Sequence, residues 1–159
     1  MGRYSSTTKY HRLMKVTILC EGRMNKNPEK EMCELYKKRI NLIKKSGFSN
    51  FNIKQSTQKE ISSILKEKNI HKKFLVLNED GKLCTSVEFV KIIQKYLSNN
   101  VKELYLLIGQ PEGVSITTDN CEKISLSKLT FSHSLARVIL CEQFYRCATI
   151  ITNHPYHKY

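Results

Sequence analysis

The chain alternates short apolar runs with longer stretches of helical spacing. Lys15-Val16-Thr17-Ile18-Leu19-Cys20 alternates and then turns apolar, which predicts a strand ending at Gly22. Asn27-Pro28 opens a helix, with proline in the first turn and Glu29 and Glu31 near the positive end of the dipole. Met32, Leu35, Tyr36, Ile40 and Ile43 share one face, and Gly47 is the expected stop. A short alternating strand is predicted at residues 51–55, then a helix capped by Thr57 and carrying Ile61, Ile64 and Leu65.

Phe74-Leu75-Val76-Leu77 is unbroken apolar, as expected of a strand covered on both faces, and Asn78-Glu79-Asp80-Gly81 reads as a turn. Thr85-Ser86-Val87-Glu88 is a capping box opening a helix with Phe89, Ile93, Tyr96 and Leu97 inward. Residues 104–108 are again solidly apolar and lead into Gly109-Gln110-Pro111-Glu112-Gly113. A strand at residues 124–127 precedes a long helix from about Ser134 to Ile151, and a polar tail follows. Strands alternating with helices, two of them uninterruptedly apolar, predict an α/β fold with a largely parallel sheet flanked by helices. With no repeat or low-complexity linker, residues 14–159 read as one domain behind a basic arm of residues 1–13.

Charge changes this picture. Among 159 residues, 27 Lys and Arg against 14 Asp and Glu give a net +13, which favours polyanionic partners: RNA or DNA first, an anionic membrane surface second. The competing explanation is a Lys- and Asn-rich composition whose lysines sit on solvated faces. The six cysteines form no C-x-x-C pair and have no histidines at zinc spacing, so no metal site is expected. Cys20 and Cys141 follow apolar runs and read as buried, reduced thiols of an intracellular protein. No apolar run approaches the ~18 residues of a membrane span. The expected compartment is the cytoplasm, or a plastid-type organelle or mitochondrion if the basic, Ser/Thr-rich first dozen residues are a targeting segment. The segment is short and lacks a clear apolar face, so an unstructured arm is the preferred reading over import, and an extension ahead of Met14 is a further explanation.

In open parallel sheets ligands bind beyond the carboxyl ends of the strands, which singles out the loops after Leu77, Ile108 and Leu126. No G-x-G-x-x-G or P-loop is present, so neither a dinucleotide fingerprint nor NTP hydrolysis is supported. In the last helix Leu135, Val138 and Tyr145 share a face with Glu142. A carboxylate on an apolar stripe must be paired, protonated or facing a cavity. Arg146, one turn on, is the obvious partner, and both a packing ion pair and an active-site role remain open. His154, Tyr156 and His157, stiffened by Pro155, are suited to stacking on a base or taking a proton.

Four segments, in this order and spacing, resemble one family: Leu106 to Gly113, Ile124 to Phe131, His133 with Arg137 and Glu142-Gln143-Phe144-Tyr145-Arg146, and Asn153-His154-Pro155-Tyr156-His157-Lys158. It is the ribosomal RNA large subunit methyltransferase H family of the SPOUT class, whose members methylate N3 of a pseudouridine in 23S rRNA. The resemblance implies an α/β fold with a C-terminal trefoil knot, a feature otherwise almost absent from proteins. It also implies a homodimer, large-subunit rRNA in assembled ribosomal particles as substrate, and no membrane or metal partner. S-adenosyl-L-methionine would lie bent between the knot loops, touching Leu77, Gly109, Leu126, Ser127, Lys128, Leu129, Thr130 and Phe131, its methyl facing the partner subunit. His133, Arg137, Glu142, Tyr156 and His157 are the candidates for orientation and acid–base work, His157 or Glu142 being the expected proton acceptor. Two positions depart from the family pattern: Gln110 replaces a second glycine, and Ser132 replaces a proline and is able to cap the last helix. Gln110 keeps one alternative open, a non-catalytic ribosome- or RNA-binding protein retaining the knotted fold; a second alternative, independent of Gln110, is a methyltransferase with another RNA target.

Overall fold

The structure, a computed structural model, describes residues 13–21, 25–109 and 121–158; the basic arm up to residue 12 and residues 110–113 of the Gly-rich loop lie outside them. Among these residues five strands, β1 (Met14–Glu21), β2 (Phe48–Ser56), β3 (Lys72–Leu83), β4 (Glu103–Ile108) and β5 (Cys121–Ser125), form one sheet in the order β2-β1-β4-β3-β5. Every pairing is parallel. The helices are α1 (Pro28–Leu42), α2 (Gln58–Lys66), α3 (Ser86–Ser98) and α4 (His133–Ile151).

Local signals start each helix where the sequence places them. The Asn27 side chain accepts from the Lys30 N–H ahead of Pro28, and Thr57/Glu60 and Thr85/Glu88 each close a capping box. Ser132 caps α4 by accepting from the Leu135 N–H at 3.3 Å. The apolar strands are explained by two buried layers. Val16, Ile18, Leu75, Leu77, Leu104 and Leu106 face the layer built with α1, α3 and α4. Leu19, Phe74, Val76 and Leu107 face α2 through Ile61 and Leu65. Phe144 of α4 is fully buried, its ring centroid 5.8, 5.3 and 5.1 Å from those of Phe48, Phe51 and Phe89.

The structure corrects several boundaries. α1 ends at Leu42 with Ile43 as its cap, and Gly47 serves a later loop, at φ +89°, whose carbonyl accepts the Met14 N–H at 2.9 Å. Cys33 and Ile40 are the buried residues of α1, whereas Met32 and Leu35 are each 45% exposed. Spacing defines an apolar stripe; the element packed against it, here α4, chooses which edge of the stripe is covered. Leu135 is likewise 44% exposed and does not share the burial of Val138. β2 runs from Phe48 to Ser56, longer than expected, and β5 occupies Cys121–Ser125, earlier than expected.

Residues 78–81 do not reverse the chain. β3 continues through them to Leu83, and both Leu77 and Lys82 pair with Ile124, so the four intervening residues bulge out of the ladder. The Asn78 side chain accepts from the Asp80 N–H at 3.0 Å inside the bulge. Gly81 is required there, because a Cβ would lie 2.5 Å from the Ile124 carbonyl carbon.

Phe144→Ala should destabilise the chain by about 3–5 kcal/mol, the usual cost of deleting a buried aromatic ring, whereas the exposed Lys91→Ala should stay within about 0.5 kcal/mol. Urea denaturation followed by circular dichroism measures both, and equal midpoints for the two variants would contradict the core assignment.

Candidate active site

The carboxyl ends of β3, β4 and β5 lie side by side, and the segments leaving them line one open cavity of about 270 Å³. Leu77 and the bulge residues Asn78, Glu79 and Asp80 come from β3, Ile108 and Gly109 from the end of β4, and Ser125 to Ser127, Leu129 and Phe131 from the segment after β5. His133 and Ala136, in the first turn of α4, complete the wall. The Gly109 N–H donates to the Leu77 carbonyl at 2.7 Å, tying the exit of β4 to β3. Its φ of +73° is the left-handed conformation that favours glycine. The Ser127 hydroxyl accepts from the Leu129 N–H at 2.9 Å, and the Ser125 hydroxyl donates to the Ser127 carbonyl at 2.8 Å; together they fold the third segment over the cavity.

Of the residues expected to hold a cofactor, Leu77, Gly109, Leu126, Ser127, Leu129 and Phe131 line the cavity, while Lys128 and Thr130 are exposed and do not. Asn78, Glu79 and Asp80 were not singled out in the sequence. Their signal was position alone, immediately beyond an apolar strand, and reading them as a turn hid it.

His133 also lines a small second cleft of about 30 Å³ with Leu19, Cys20, Glu21 and Arg137. Arg137 Nε is buried there with no hydrogen-bond partner among the described residues. Burial pushes the Cys20 thiol up to about 11, and the positive charge of Arg137 partly offsets the rise.

The remaining three candidates form a separate cluster. Glu142 stands roughly 13 Å along α4 from His133, at 1.5 Å of rise per residue. Its Oε1 accepts from Arg146 Nε at 3.1 Å, Arg146 Nη2 at 2.7 Å and the Tyr156 hydroxyl at 3.1 Å; its Oε2 accepts from Gln143 Nε2 at 2.7 Å. Arg146 Nη1 lies 3.1 Å from His157 Nδ1. A guanidinium has only protons to offer, so this ring nitrogen accepts and the neutral ring carries its proton on Nε2.

The tail reaches this cluster because the end of α4 turns it back. Asn153, at φ +56°, and His154 donate to the carbonyls of Ile150 at 3.2 Å and Thr149 at 2.8 Å, a Schellman closure made without glycine. Tyr156 then packs edge-on against Tyr145, centroids 4.7 Å apart, and under the Arg146 guanidinium at 5.1 Å. Burial, followed by the Glu142 charge and its hydrogen bond, pushes the Tyr156 phenol up to about 12. Tyr36 and Arg39 of α1, absent from the sequence reading of the site, extend the stack through Tyr145.

A family model described as "Predicted SPOUT methyltransferase" matches residues 14–157. The chain is similar to the ribosomal RNA large subunit methyltransferase H of Christiangramia forsetii, 33% identical over 155 residues that cover 91% of this chain and 99% of that protein. The protein of the same name from Flavobacterium johnsoniae is 32% identical with the same coverage. That from Francisella philomiragia is 34% identical over 158 residues, covering 91% of this chain and all of the relative.

Glu142→Gln removes the charge that holds the Tyr156 proton, so the phenol should titrate below about 12, nearer its ordinary value of about 10. Because folding raises this pKa, its stabilising contribution is complete below about pH 10 and is lost between about 10 and 12. Ultraviolet difference titration against Tyr156→Phe isolates the group; an unchanged midpoint in Glu142→Gln would show that Glu142 does not act on it.

Proposed function

The chain belongs to the SPOUT methyltransferase family, and we propose that it uses S-adenosyl-L-methionine to methylate N3 of a pseudouridine in large-subunit ribosomal RNA, acting as a cytoplasmic homodimer. The observation that carries this reading is the convergence on one cavity of the β3 bulge after Leu77 with the segments that follow Ile108 and Ser125. The names of the relatives supply the substrate class. The net charge of +13 suits a polyanion of that kind.

The cavity fits such a cofactor in its chemistry. Leu77, Ile108, Leu126, Leu129 and Phe131 offer apolar walls to an adenine ring, and the strand ends offer backbone donors and acceptors. Glu79 and Asp80 place carboxylates in the wall, where a positively charged group is favoured. When bound, the cofactor supplies an electrophilic methyl on a sulfonium. Compatible with this is a trefoil-knotted C-terminal segment, as the family implies, with α4 crossing back from edge strand β5 to pack on α1 and α3.

Glu142, Tyr156 and His157 sit away from the cavity of their own subunit, which is the reason a second copy is invoked. Met32 and Leu35 on α1 and Leu135 on α4 are large apolar side chains left exposed, a surface suited to self-association. In such a dimer the cavity of one subunit faces the tail cluster of the other. The imide nitrogen of the base must lose its proton before it is methylated. Glu142 is a poor acceptor, since Arg146, Tyr156 and Gln143 already donate to both of its oxygens. His157 already uses Nδ1 as an acceptor from the Arg146 guanidinium. The cluster therefore acts as a positioning array: Glu142 and Arg146 hold Tyr156 and His157 in place, and the positive charge of Arg146 helps stabilise the developing imide anion while its proton leaves to solvent. Arg137, with a buried donor at the cleft beside His133, orients the substrate.

Ribosomal RNA from cells lacking this protein should be missing one methyl on a large-subunit pseudouridine, read by mass mapping of nucleotides. Unaltered rRNA methylation would defeat the proposal. By calorimetry the purified protein should bind S-adenosyl-L-methionine, and Gly81→Ala, which forces the bulge off Ile124, should weaken that binding roughly tenfold, given the usual 1–3 kcal/mol of overpacking. Absent binding by the wild-type protein would leave a non-catalytic RNA-binding role.

A further inference from the structure

In a parallel sheet every strand starts at the same end, so the loops entering the strands converge opposite the cavity. Here the Lys15 N–H donates to the Lys102 carbonyl at 2.8 Å and the Lys102 N–H to the His71 carbonyl at 2.7 Å, joining the entries of β1, β4 and β3. The Met14 N–H bond to Gly47 brings the loop carrying Lys44 and Lys45 alongside. Among the described residues, the acids flanking this end are engaged with one buried cation. Glu67 and Glu103 both pair with Lys72, whose side chain is 5% exposed, at 2.5 and 3.6 Å. That leaves Lys15, Lys44, Lys45, Lys68 and Lys102 exposed, none within 4.0 Å of a carboxylate among the described residues.

We propose that this end of the sheet is a second RNA-binding surface, which grips the phosphate backbone of the ribosomal substrate remote from the reaction site. The inference rests on the reading of ribosomal RNA as substrate. β4 alone separates the two ends by roughly 20 Å, its six residues rising about 3.3 Å each. A contact at that remove does nothing for the reacting base but lengthens the stay of a small enzyme on a large particle. Lysines suit the task, since phosphate contacts fix position without reading sequence. The uncompensated charge of this end also separates it from an evenly spread lysine background, in which acids and bases alternate.

The test compares wild-type protein with the triple variant Lys44→Glu, Lys68→Glu, Lys102→Glu, and with a control of equal charge change on other surfaces, Lys59→Glu, Lys91→Glu, Lys123→Glu. Binding to purified large ribosomal subunits is followed by sedimentation across a salt series. Each phosphate contact contributes about −0.7 to −0.9 to the slope of log affinity against log salt, so the first variant should have a slope shallower by about 2. Its affinity should fall at low salt and converge with wild type at high salt, while S-adenosyl-L-methionine affinity and the rate at saturating substrate stay unchanged. Wild-type behaviour of this variant, or an equal loss in the control, overturns the proposal. So does loss of binding to anionic phosphatidylserine vesicles with ribosome binding intact, which would make the surface a membrane contact. If the wild-type protein fails to bind ribosomal subunits at all, the substrate reading itself falls; if it binds and the triple variant binds equally, only the second surface does.

Discussion

The site depends on one constraint, the ladder that holds β3 between β4 and β5. Leu77 is the register point. It pairs with Ile108 on one side and Ile124 on the other, and its carbonyl takes the Gly109 N–H at 2.7 Å. All three strands run the same way, so beyond this rung the bulge of β3 and the segments that follow β4 and β5 border the same space. The cavity is what remains between those exits, the bulge at residues 78–81 and the first turn of α4. Slipping β3 by a single residue would exchange its two apolar faces, so two buried layers fix the register and, through it, the cavity.

Glu142 organises the tail cluster in a similar way. One carboxylate gathers Arg146, Gln143 and Tyr156, and Gln143 in turn accepts from the Ser86 hydroxyl at 2.8 Å, linking the cluster to the start of α3. Removing the carboxylate would leave a half-buried guanidinium unpaired, a larger loss than the pair itself is worth. The tail is thus held by a Schellman closure at one end and an ion pair with a tyrosine on it at the other. Terminal segments lacking such anchors usually fray.

The sheet also divides labour between its ends. The ends where strands exit carry the cavity, with Glu79 and Asp80 in its wall. The ends where they enter carry exposed lysines, with Glu67 and Glu103 paired to the buried Lys72. The same backbone direction sets both, so one sheet presents two chemically opposite surfaces.

The sequence by itself determined what short-range physics controls. Apolar runs named the strands, Asn27, Thr57 and Thr85 named the helix starts, Ser132 offered a cap, and the Glu142–Arg146 spacing foretold an ion pair. The strand-end rule for parallel sheets pointed to the loops after Leu77, Ile108 and Leu126, and the family resemblance named cofactor contacts in them. Tertiary structure decided the rest. It turned Met32 and Leu35 outward and Cys33 inward, because a stripe has no preferred edge until another helix lies on it. It made residues 78–81 a bulge, because the turn-forming chemistry of Asn, Asp and Gly is the same whether the chain reverses or rejoins its strand; only the pairing of both Leu77 and Lys82 with Ile124 distinguishes them. It separated His133 and Arg137 from Glu142, Tyr156 and His157, since positions along one helix axis translate into distance, and closeness in sequence does not place side chains around a common ligand.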